Sequence, residues 1–173
     1  MSEQRVDTDS ISIRSATERD GPGILACLAA AFEEFRGRYT PGGFADTVLS
    51  PETVERRMKE MTIFVALDGT GLVAGTIACQ AAGSEGHLRG MAVLPQLRGG
   101  GLAQQLLEQA ERYVRQQGCT RITLDTTEPL KRAIRFYERN GFRPSGKVQD
   151  FFGMRLIEYE KAIEVAGRAR ADF

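Results

Sequence analysis

Three consecutive glycines, Gly99 to Gly101, constrain the fold of this chain more than any other feature of its sequence. The apolar segment before them predicts a buried β-strand, and the segment that begins at Leu102 repeats apolar residues with the period of an α-helix. The first N–H groups of a helix have no partner within it and attract phosphate. The sequence therefore predicts a strand, a phosphate-binding turn and a helix, although a flexible helix cap without a ligand has the same pattern.

The remaining periodicity predicts six more strands and three more helices around this unit. The order β-α-α-β-β-β-α-β-α-β-β is typical of an α+β domain. Strands are predicted at residues 10–17, 62–68, 71–80, 87–94, 121–125, 142–148 and 153–161, and helices at 23–35, 51–61, 101–117 and 128–140. The intervening segment 36–44, RGRYTPGGF, is rich in Gly and Pro and is predicted to be a loop.

The length of 173 residues fits one domain, predicted over residues 10–160, with a disordered segment at 1–9 and a tail at 161–173. Hydrophobic residues make up 42% of the chain, enough for a core that needs neither disulfides nor a metal. Lys plus Arg and Asp plus Glu both number 23, so the chain lacks the basic excess of a nucleic-acid-binding protein. We therefore expect no metal and no nucleic-acid partner.

The cysteines and the distribution of apolar residues predict the compartment. Cys27, Cys79 and Cys119 are far apart in the sequence and form no C-x-x-C pair, which is typical of reduced thiols in the cytoplasm. The polar N-terminal residues resemble neither a signal peptide nor a transit peptide. No apolar run approaches the ~20 residues of a membrane span. We therefore expect a cytoplasmic protein without membrane contact.

The glycine cluster fits neither of two common nucleotide-binding motifs. The P-loop pattern G-x-x-x-x-G-K-S/T is absent, and a Rossmann-type G-x-G-x-x-G would need a glycine where Gln104 stands. The four residues Pro95 to Arg98 also separate the strand from the glycines, whereas the Rossmann turn follows its strand directly. A dinucleotide-dependent enzyme or a methyltransferase is therefore the weaker alternative.

Two motifs resemble those of the GCN5-related N-acetyltransferase (GNAT) family. Gln96, Gly99 and Gly101 match the phosphate motif Q/R-x-x-G-x-G/A, and AIRFYERNGF (Ala133 to Phe142) matches A-x-x-L/F-Y-x-x-x-G-F. The resemblance implies an α/β/α sandwich with a central mixed, mostly antiparallel sheet whose fourth and fifth strands splay apart. It also implies acetyl-CoA as the co-substrate.

In the family, the pantetheine arm of CoA lies between the splayed strands and the pyrophosphate lies on the glycine turn. Carried over to this chain, the resemblance assigns the arm to the backbone of Met91, Ala92 and Val93. The assigned pyrophosphate contacts are Gln96, Arg98, Gly99, Gly100, Gly101, Leu102 and Ala103. Leu130 stands where many family members have an asparagine that contacts the cofactor, so this polar contact is missing.

The resemblance also assigns catalytic roles. Tyr137 is the candidate general acid for the departing thiolate, although it shares a helical face with Leu130 and Ile134 and so also fits a core position. His87, the only histidine, suits a general base at neutral pH, and Glu85 is the neighbouring alternative. A packing role for His87, with a water chain that removes the proton, is also open.

The predicted acceptor is a primary amine of a small molecule, amino acid or peptide, bound by loops after the first helix and near residue 151. The candidate contact residues are Phe35, Arg38, Tyr39, Phe44 and Phe151. Arg36 and Arg38 indicate an acceptor with a carboxylate. Three other functions remain open: transfer of a longer acyl group, a CoA-binding sensor without turnover, and a nucleotide-cofactor enzyme. The fold also favours a homodimer formed through the C-terminal strands.

Overall fold

The computed structural model describes residues 8–164, which form seven β-strands and five α-helices. The strands are β1 (Ser12–Ser15), β2 (Thr62–Leu67), β3 (Val73–Ala82), β4 (Glu85–Val93), β5 (Arg121–Thr127), β6 (Arg143–Phe151) and β7 (Met154–Ala162). The helices are α1 (Gly21–Phe32), α2 (Pro41–Val48), α3 (Pro51–Glu60), α4 (Leu102–Gln116) and α5 (Lys131–Arg139). Short 3₁₀ turns lie between them, among them Glu33–Arg38 after α1 and Pro95–Leu97 before α4.

The seven strands form one sheet in the order β1-β2-β3-β4-β5-β7-β6. All neighbours are antiparallel except β4 and β5, which are parallel and are joined by the crossover helix α4. Because side chains alternate along each strand, the sheet has one face toward α4 and α5 and another toward α1 and α3. The predicted mixed, mostly antiparallel sheet is confirmed.

Two apolar cores cover the faces of the sheet and create three layers. The core on the α4 side includes Phe64, Ile77, Leu88, Leu106, Leu107, Ile122 and Leu124. The core on the α1 and α3 side includes Ile24, Leu28, Val54, Ile63, Val65, Ala78 and Ala92. Full burial of a large aliphatic side chain contributes roughly 1.5–3 kcal/mol to the free energy of folding. The three layers form the predicted α/β/α sandwich.

β4 and β5 pair over only part of their length. Glu85–Leu88 pair with Arg121–Leu124, and beyond this point the two strands separate. A bulge in β4 follows, in which Gly90 and Met91 together oppose the single residue Ile77 of β3. Gly90 has a φ of 60°, in the left-handed region that favours glycine. The bulge lies where β4 and β5 stop pairing, and the sheet is open from this point near its centre.

The main difference from the predicted element order is the helix α2. The sequence predicts a loop over residues 36–44, whereas this segment completes a 3₁₀ turn and begins α2. The Thr40 hydroxyl accepts a hydrogen bond from the Gly43 N–H at 3.2 Å, and Pro41 takes the first helical position. Gly42 and Gly43 conceal the helix in the sequence, because glycine disfavours helical structure. The loop prediction is wrong, and the order contains one additional helix.

The structure also extends the sheet beyond the predicted limit of the domain at residue 160. β7 continues to Ala162, and the buried Ile163 donates its N–H to the Thr120 carbonyl at 2.9 Å. Residues 161–163 therefore pack with the sheet and do not belong to a tail. Thr8–Ser10 form a short 3₁₀ turn. Residues 1–7 of the predicted disordered segment and residues 165–173 of the predicted tail lie outside the described part of the chain.

Between residues 8 and 164, none of the helices combines the length and the apolar composition that a membrane span requires. The same part of the chain contains no cluster of His, Cys, Asp and Glu side chains arranged to hold a metal ion. Cys27, Cys79 and Cys119 are buried free thiols. Burial raises the pKa of Cys27 and of Cys79 to about 12, so these two thiols stay protonated and act as small core residues.

Candidate active site

A cavity of about 820 Å³ opens where β4 and β5 separate. It extends from the start of α4, past α5 and the separated strands, to the segment that follows α1. We call its first part the α4 end, lined by Gly99, Gly101, Leu102, Ala103 and Gln104. We call a second part, which includes Arg57 of α3, the α3 end, lined by Phe35, Tyr39, Asp46, Arg57 and Arg89. The opening in the sheet thus connects the two helical layers.

The α4 end is built from backbone groups. Gly99 and Gly101 have φ values of 82° and 85°, and a Cβ at either position would meet no atom within 4 Å. The turn therefore leaves open space above its backbone. α4 begins at Leu102, and its first N–H groups have no partner within the helix. Together with the positive end of the helix dipole, these groups form a site that suits phosphate.

Most of the predicted cofactor residues surround this part of the cavity. Met91, Ala92, Val93, Arg98, Gly99, Gly101, Leu102 and Ala103 line the wall, while Gln96 and Gly100 lie in the adjoining turn. The Arg98 guanidinium hydrogen bonds to the Glu34 carboxylate, and to the Ala31 carbonyl at 3.0 Å. Arg98 thereby joins the glycine turn to the end of α1 and to the 3₁₀ turn after it, a contact that the sequence motifs do not predict. Arg132 and Arg139 of α5 also line the cavity, and sequence reasoning missed them.

The separated half of β4 carries Met91, Ala92 and Val93 along the cavity wall. Leu94 donates its N–H to the Ala74 carbonyl of β3 at 2.9 Å. Because the direction of hydrogen bonding alternates along a strand, the backbone groups of Val93 point to the other side, toward the gap beside β5. A separated strand of this kind offers backbone donors and acceptors to an extended ligand.

Tyr137 of α5 reaches across the gap to β4. Its hydroxyl donates to the Met91 Sδ at 3.6 Å, and its ring contacts Phe136 and Phe142 edge to face. Burial raises the pKa of Tyr137 to about 12, so the phenol keeps its proton at neutral pH. The side chain both packs against the α4-side core and lines the cavity. A packing role and a role at the cavity are therefore compatible.

A row of four polar side chains leads away from the cavity between β4 and β5. Asp125 lines the cavity, and its carboxylate lies 3.5 Å from the His87 Nε2. The His87 Nδ1 lies 2.9 Å from the Thr123 hydroxyl, which donates to the Glu85 carboxylate at 2.7 Å. Since that hydroxyl gives its one proton to Glu85, the His87 Nδ1 donates to Thr123 and the Nε2 faces Asp125. We call these four residues the polar row.

The predicted bases His87 and Glu85 belong to the polar row but are not among the described residues that line the cavity. Their side chains are 30% and 45% exposed. Asp125 is the member that meets the cavity, and sequence reasoning missed it as a site residue. Its signal in the sequence is a lone carboxylate in the largely buried strand RITLDTT.

Burial shifts the pKa values of the two inner members of the polar row. It raises the pKa of Asp125 above the ordinary 3.8, and the neighbouring His87 opposes this change. It lowers the pKa of His87 below the ordinary 6.5, and Asp125 opposes that change. The two groups therefore titrate closer together than an isolated carboxyl and an isolated imidazole do. A proton bound here belongs to the pair.

The α3 end is formed by side chains from segments that are distant in the sequence. Phe35, Tyr39 and Phe151, three of the predicted acceptor residues, line the cavity. Tyr39 ties the 3₁₀ turn after α1 to the end of β5, because its buried hydroxyl bonds to the Thr127 hydroxyl at 2.6 Å. Gly42 lets the β6–β7 hairpin approach α2, since a Cβ there would lie 2.7 Å from the Phe152 ring.

The other two predicted acceptor residues occupy different positions. Phe44 is buried beneath the wall, and the Arg36 guanidinium lies 4.1 Å from the centre of its ring. Arg38 lies over Phe35 at 5.6 Å. Arg36 also forms a salt bridge with Glu33 at 2.8 Å. Among the cavity-lining residues that the structure describes, neither Phe44 nor either of these arginines is present.

Comparison with known proteins identifies the family. A sequence model described as the acetyltransferase (GNAT) family matches residues 26–142, which is more than half of the chain. The chain belongs to the GNAT acetyltransferase family. The match spans the segments that form both ends of the cavity except the β6–β7 hairpin, which follows it. Both the resemblance and the fold class predicted from the sequence are confirmed.

Solved structures of GNAT proteins share this fold. A GNAT-family acetyltransferase from Staphylococcus aureus Mu50 is 18% identical over 90% of this chain and 100% of its own, with a TM-score of 0.74. The ribosomal-protein-S18-alanine N-acetyltransferase from Escherichia coli is 20% identical over 95% and 100%, with a TM-score of 0.73. The PaiA N-acetyltransferase from Thermoplasma acidophilum, in complex with coenzyme A, is 19% identical over 89% and 99%, with a TM-score of 0.71. At these identities, the similarity extends to the fold.

Arg57 of α3 is the residue of this GNAT domain that sequence reasoning most clearly missed. It is 9% exposed and lines the α3 end. Burial lowers its pKa to about 10, and the nearby Arg89 adds to the shift, so the guanidinium still carries its charge at neutral pH. The signal in the sequence is its position three residues after Val54, on the buried face of α3.

Proposed function

We propose that this GNAT protein transfers the acetyl group of acetyl-CoA directly to a primary amine of a small molecule, amino acid or peptide. One observation carries the proposal: a single cavity joins the start of α4 to Tyr137 and to Asp125. Acyl transfer to an amine requires a donor site, a group that accepts the proton of the amine, and a group that stabilises the leaving thiolate. Acetyl-CoA, when bound, supplies the acetyl group as an activated thioester.

The residues of the α4 end fit the diphosphate of CoA. Gly99 and Gly101 leave the space above the turn open, and the N–H groups of Leu102, Ala103 and Gln104 have no partner within the helix. Arg132 and Arg139 of α5 add positive charge to the cavity wall, which suits an anionic cofactor. These features support CoA as the ligand of the α4 end.

The separated half of β4 suits the extended arm of the cofactor. Val93 within it offers its backbone groups toward the gap, where no strand of the described residues pairs with them, while Ala92 faces Thr76 of β3. A backbone N–H in this place polarises the thioester carbonyl and stabilises the negative charge that develops on its oxygen. Because the backbone makes these contacts, the proposal needs no polar side chain in the segment.

The polar row provides a path for the proton of the amine. Asp125 faces the cavity and accepts the proton, which passes to the His87 Nε2. The proton on the His87 Nδ1 then moves to Thr123, whose own proton moves to Glu85 and from there to water. The three transfers within the row run along contacts of 3.5, 2.9 and 2.7 Å. His87 and Glu85 thus act through Asp125 and not directly on the amine.

Tyr137 stabilises the leaving sulfur. Its pKa of about 12 lies above the ~8.5 of an ordinary thiol, so the equilibrium favours the protonated phenol beside a thiolate. A hydrogen bond from the phenol to the sulfur is therefore its main contribution, before solvent completes the protonation. The present partner of its O–H is also a sulfur atom, the Sδ of Met91.

Ligand-induced stabilisation tests the cofactor directly. We expect acetyl-CoA and CoA to raise the melting temperature, because a ligand at 100 times its Kd adds about 2.7 kcal/mol to the free energy of unfolding. NAD and S-adenosylmethionine serve as controls for the nucleotide-cofactor alternative. A shift with either control, and none with acetyl-CoA, contradicts the proposal.

Release of free thiol from acetyl-CoA tests turnover. We expect at least one member of a panel of primary amines, including amino acids and peptides, to produce thiol and an acetylated product of the expected mass. Propionyl-CoA and longer acyl-CoA donors, assayed beside acetyl-CoA, distinguish a transferase of longer acyl groups. Tight binding of acetyl-CoA with no turnover on any amine supports the sensor function in place of the enzyme.

The assembly and the compartment are further parts of the proposal. β6 is the last strand of the sheet, and Val148 within it is 46% exposed, which supports a homodimer formed through the C-terminal strands. Light scattering during size-exclusion chromatography measures the mass of the particle. Three buried free thiols support a cytoplasmic location, which fractionation of cells tests.

A further inference from the structure

Arg57 occupies an unusual position for a charged side chain. It projects from the buried face of α3 into the cavity and is 9% exposed. Within residues 8–164, its guanidinium has neither a hydrogen bond nor a salt bridge. The guanidinium lines the cavity, so its donors are available to a ligand there. An anionic ligand in the cavity would supply the missing partner.

Among residues 8–164, no carboxylate forms an ion pair with Arg57. Arg89 of β4 is near enough to lower the pKa of Arg57, while Asp46 and Glu60 oppose this shift without contacting the guanidinium. Asp46 already forms a salt bridge with Arg89 at 3.1 Å. Asp125, the next carboxylate along the cavity, faces the histidine of the polar row. The guanidinium groups of Arg57 and Arg89 therefore lie near each other, and only that of Arg89 has a carboxylate partner.

The bulge in β4 keeps space for the guanidinium beside the proposed acyl site. A Cβ on Gly90 would lie 2.7 Å from the Arg57 Nη1, so a side chain at this position would collide with it. Gly90 directly precedes Met91, the first residue of the strand segment proposed to hold the acyl group. One residue of a strand spans about 3.4 Å. Val93, whose backbone faces the gap, follows Gly90 by three residues, so the guanidinium lies within about 10 Å of it along the strand.

We propose that Arg57 binds a carboxylate of the acceptor, which makes the acceptor an amino-acid-like molecule that carries both a primary amine and a carboxylate. This inference rests on the acetyl transfer proposed above and names the substrate class of that site. A guanidinium binds a carboxylate through two parallel hydrogen bonds, and its one charge matches the one charge of the carboxylate. Asp125 then faces the amine while Arg57 holds the other end.

Paired acceptors test the proposal through turnover. Each α- or β-amino acid is compared with its carboxamide, and with an aminoalkylphosphonate of similar length. We expect kcat/KM to be at least ~10-fold higher for the carboxylates, equal to about 1.4 kcal/mol. Arg57→Gln should remove this preference, and Arg57→Lys should keep part of it, because lysine retains the charge but not the two parallel bonds. Arg56→Gln changes the exposed neighbour and should leave the preference intact.

A binding measurement separates this proposal from the proposed acetyl transfer. N-acetyl amino acids and their carboxamides are titrated into the CoA-bound protein, which requires no turnover. We expect the acids to bind at least ~10-fold more tightly, and only when Arg57 is present. If no amine releases thiol but this preference persists, acetyl transfer is wrong and the carboxylate site stands. Equal binding of acids and amides, or tighter binding of phosphonates, overturns the carboxylate site.

The stability of the variants distinguishes a binding role from a structural one. Replacement of an unpaired buried charge by an apolar side chain is neutral or stabilising. We therefore expect Arg57→Met to melt at the same temperature as the wild type or higher, with an unchanged Kd for acetyl-CoA. A melting temperature several degrees lower, together with an unchanged preference for carboxylates, contradicts the proposal and assigns Arg57 to the fold.

Discussion

The two ends of the cavity differ in the kind of atoms that form them. The α4 end consists of backbone from one short segment, Pro95 to Gln104, in which glycine conformation and helix N–H groups create the site. The α3 end consists of side chains from the 3₁₀ turn after α1, from α2, α3 and β4, and from the β6–β7 hairpin. A site of the first kind is recognisable as a local motif, and a site of the second kind appears only when the chain is folded.

This difference also predicts how each end responds to substitution. The α4 end should tolerate most side-chain changes and lose its ligand when bulk or negative charge enters the open space above Gly101. The α3 end should change its preference for acceptors when one side chain is replaced. Variants that affect one end and leave the other intact therefore test whether the two ends work separately.

The largest effect is expected from Gly101→Glu. A carboxylate above the turn blocks the phosphate site and repels its charge, so the Kd for acetyl-CoA should rise at least ~100-fold, or about 2.7 kcal/mol. Turnover should fall accordingly. Stabilisation by acetyl-CoA, measured as the shift of the melting temperature, should disappear.

Gly71→Glu is the matched control for this variant. Gly71 has a φ of 86°, against 85° for Gly101, and a Cβ at either position meets no atom within 4 Å. Both variants therefore carry the same backbone strain, but Gly71 lies in the β2–β3 turn and outside the cavity wall. An equal loss of affinity in both variants would assign the effect to strain and contradict the phosphate site.

The next largest effect is expected from Tyr137→Phe at the middle of the cavity. Loss of the hydrogen bond to the leaving sulfur should lower kcat roughly 100-fold, the usual contribution of a positioned proton donor. The Kd for acetyl-CoA should change little, because the ring and its contacts with Phe136 and Phe142 remain. Tyr113→Phe removes a hydroxyl that bonds to Thr62 and should leave kcat unchanged. If kcat is unchanged in Tyr137→Phe, Tyr137 has a packing role only and the proposed hydrogen bond to the leaving sulfur is wrong.

A smaller and graded effect is expected along the polar row. Asp125→Asn should lower kcat most, about 10- to 100-fold, since it removes the proton acceptor at the cavity. His87→Gln should lower kcat less, and Glu85→Gln least, because water replaces the outer members more easily. Single-turnover rates measured at saturating acetyl-CoA and amine test this order. A larger loss in Glu85→Gln than in Asp125→Asn would contradict the direction of the path.

The polar row also predicts the pH dependence of kcat. Burial raises the pKa of Asp125 above 3.8 and lowers that of His87 below 6.5, and the pair accepts a proton from the amine only after losing its own. kcat should therefore rise with pH as the pair loses its proton, at a pH above 3.8 and below 6.5, and then level off. Tyr137, with a pKa of about 12, should cause no decline at moderately alkaline pH. Asp125→Asn should abolish or displace the acidic limb.

The smallest effect is expected from Tyr39→Phe at the α3 end. This change removes the hydrogen bond to Thr127 and should lower the free energy of unfolding by about 1 kcal/mol. KM for the amine should rise a few-fold while the Kd for acetyl-CoA stays constant, because only the α3 wall loosens. Denaturant titration and steady-state kinetics measure the two quantities. A weaker affinity for acetyl-CoA would show that the two ends are coupled.

The sequence is sufficient to predict the elements and motifs that depend on neighbouring residues. Periodicity predicts all seven strands, and the motifs around Gly99 and Tyr137 predict the family, because each motif combines a few neighbouring residues. The splayed strands follow from the family resemblance. α2 could not be predicted, because Gly42 and Gly43 oppose helix formation and only the Thr40 cap and the packing of the hairpin offset them.

The α3 end and the polar row lie beyond sequence reasoning for a different reason. Their contacts join residues far apart in the chain: the Thr123–Glu85 hydrogen bond spans 38 positions and the Tyr39–Thr127 bond spans 88. The sequence indicates His87 as a base because it is the only histidine and its imidazole titrates near neutral pH, yet which carboxylate it faces depends on the register of β4 and β5. Arg57 resembles any surface arginine until the burial of its helix face is known.

Calorimetric titration of acetyl-CoA into three proteins tests most directly whether the cavity has two separable ends. The wild type and Arg57→Gln should bind with the same Kd, and Gly101→Glu should bind at least ~100-fold more weakly. This result would place the cofactor on the backbone of the α4 end, away from the arginine of the α3 end. An unchanged Kd in Gly101→Glu, or an equal loss in Arg57→Gln, would contradict the division of the cavity.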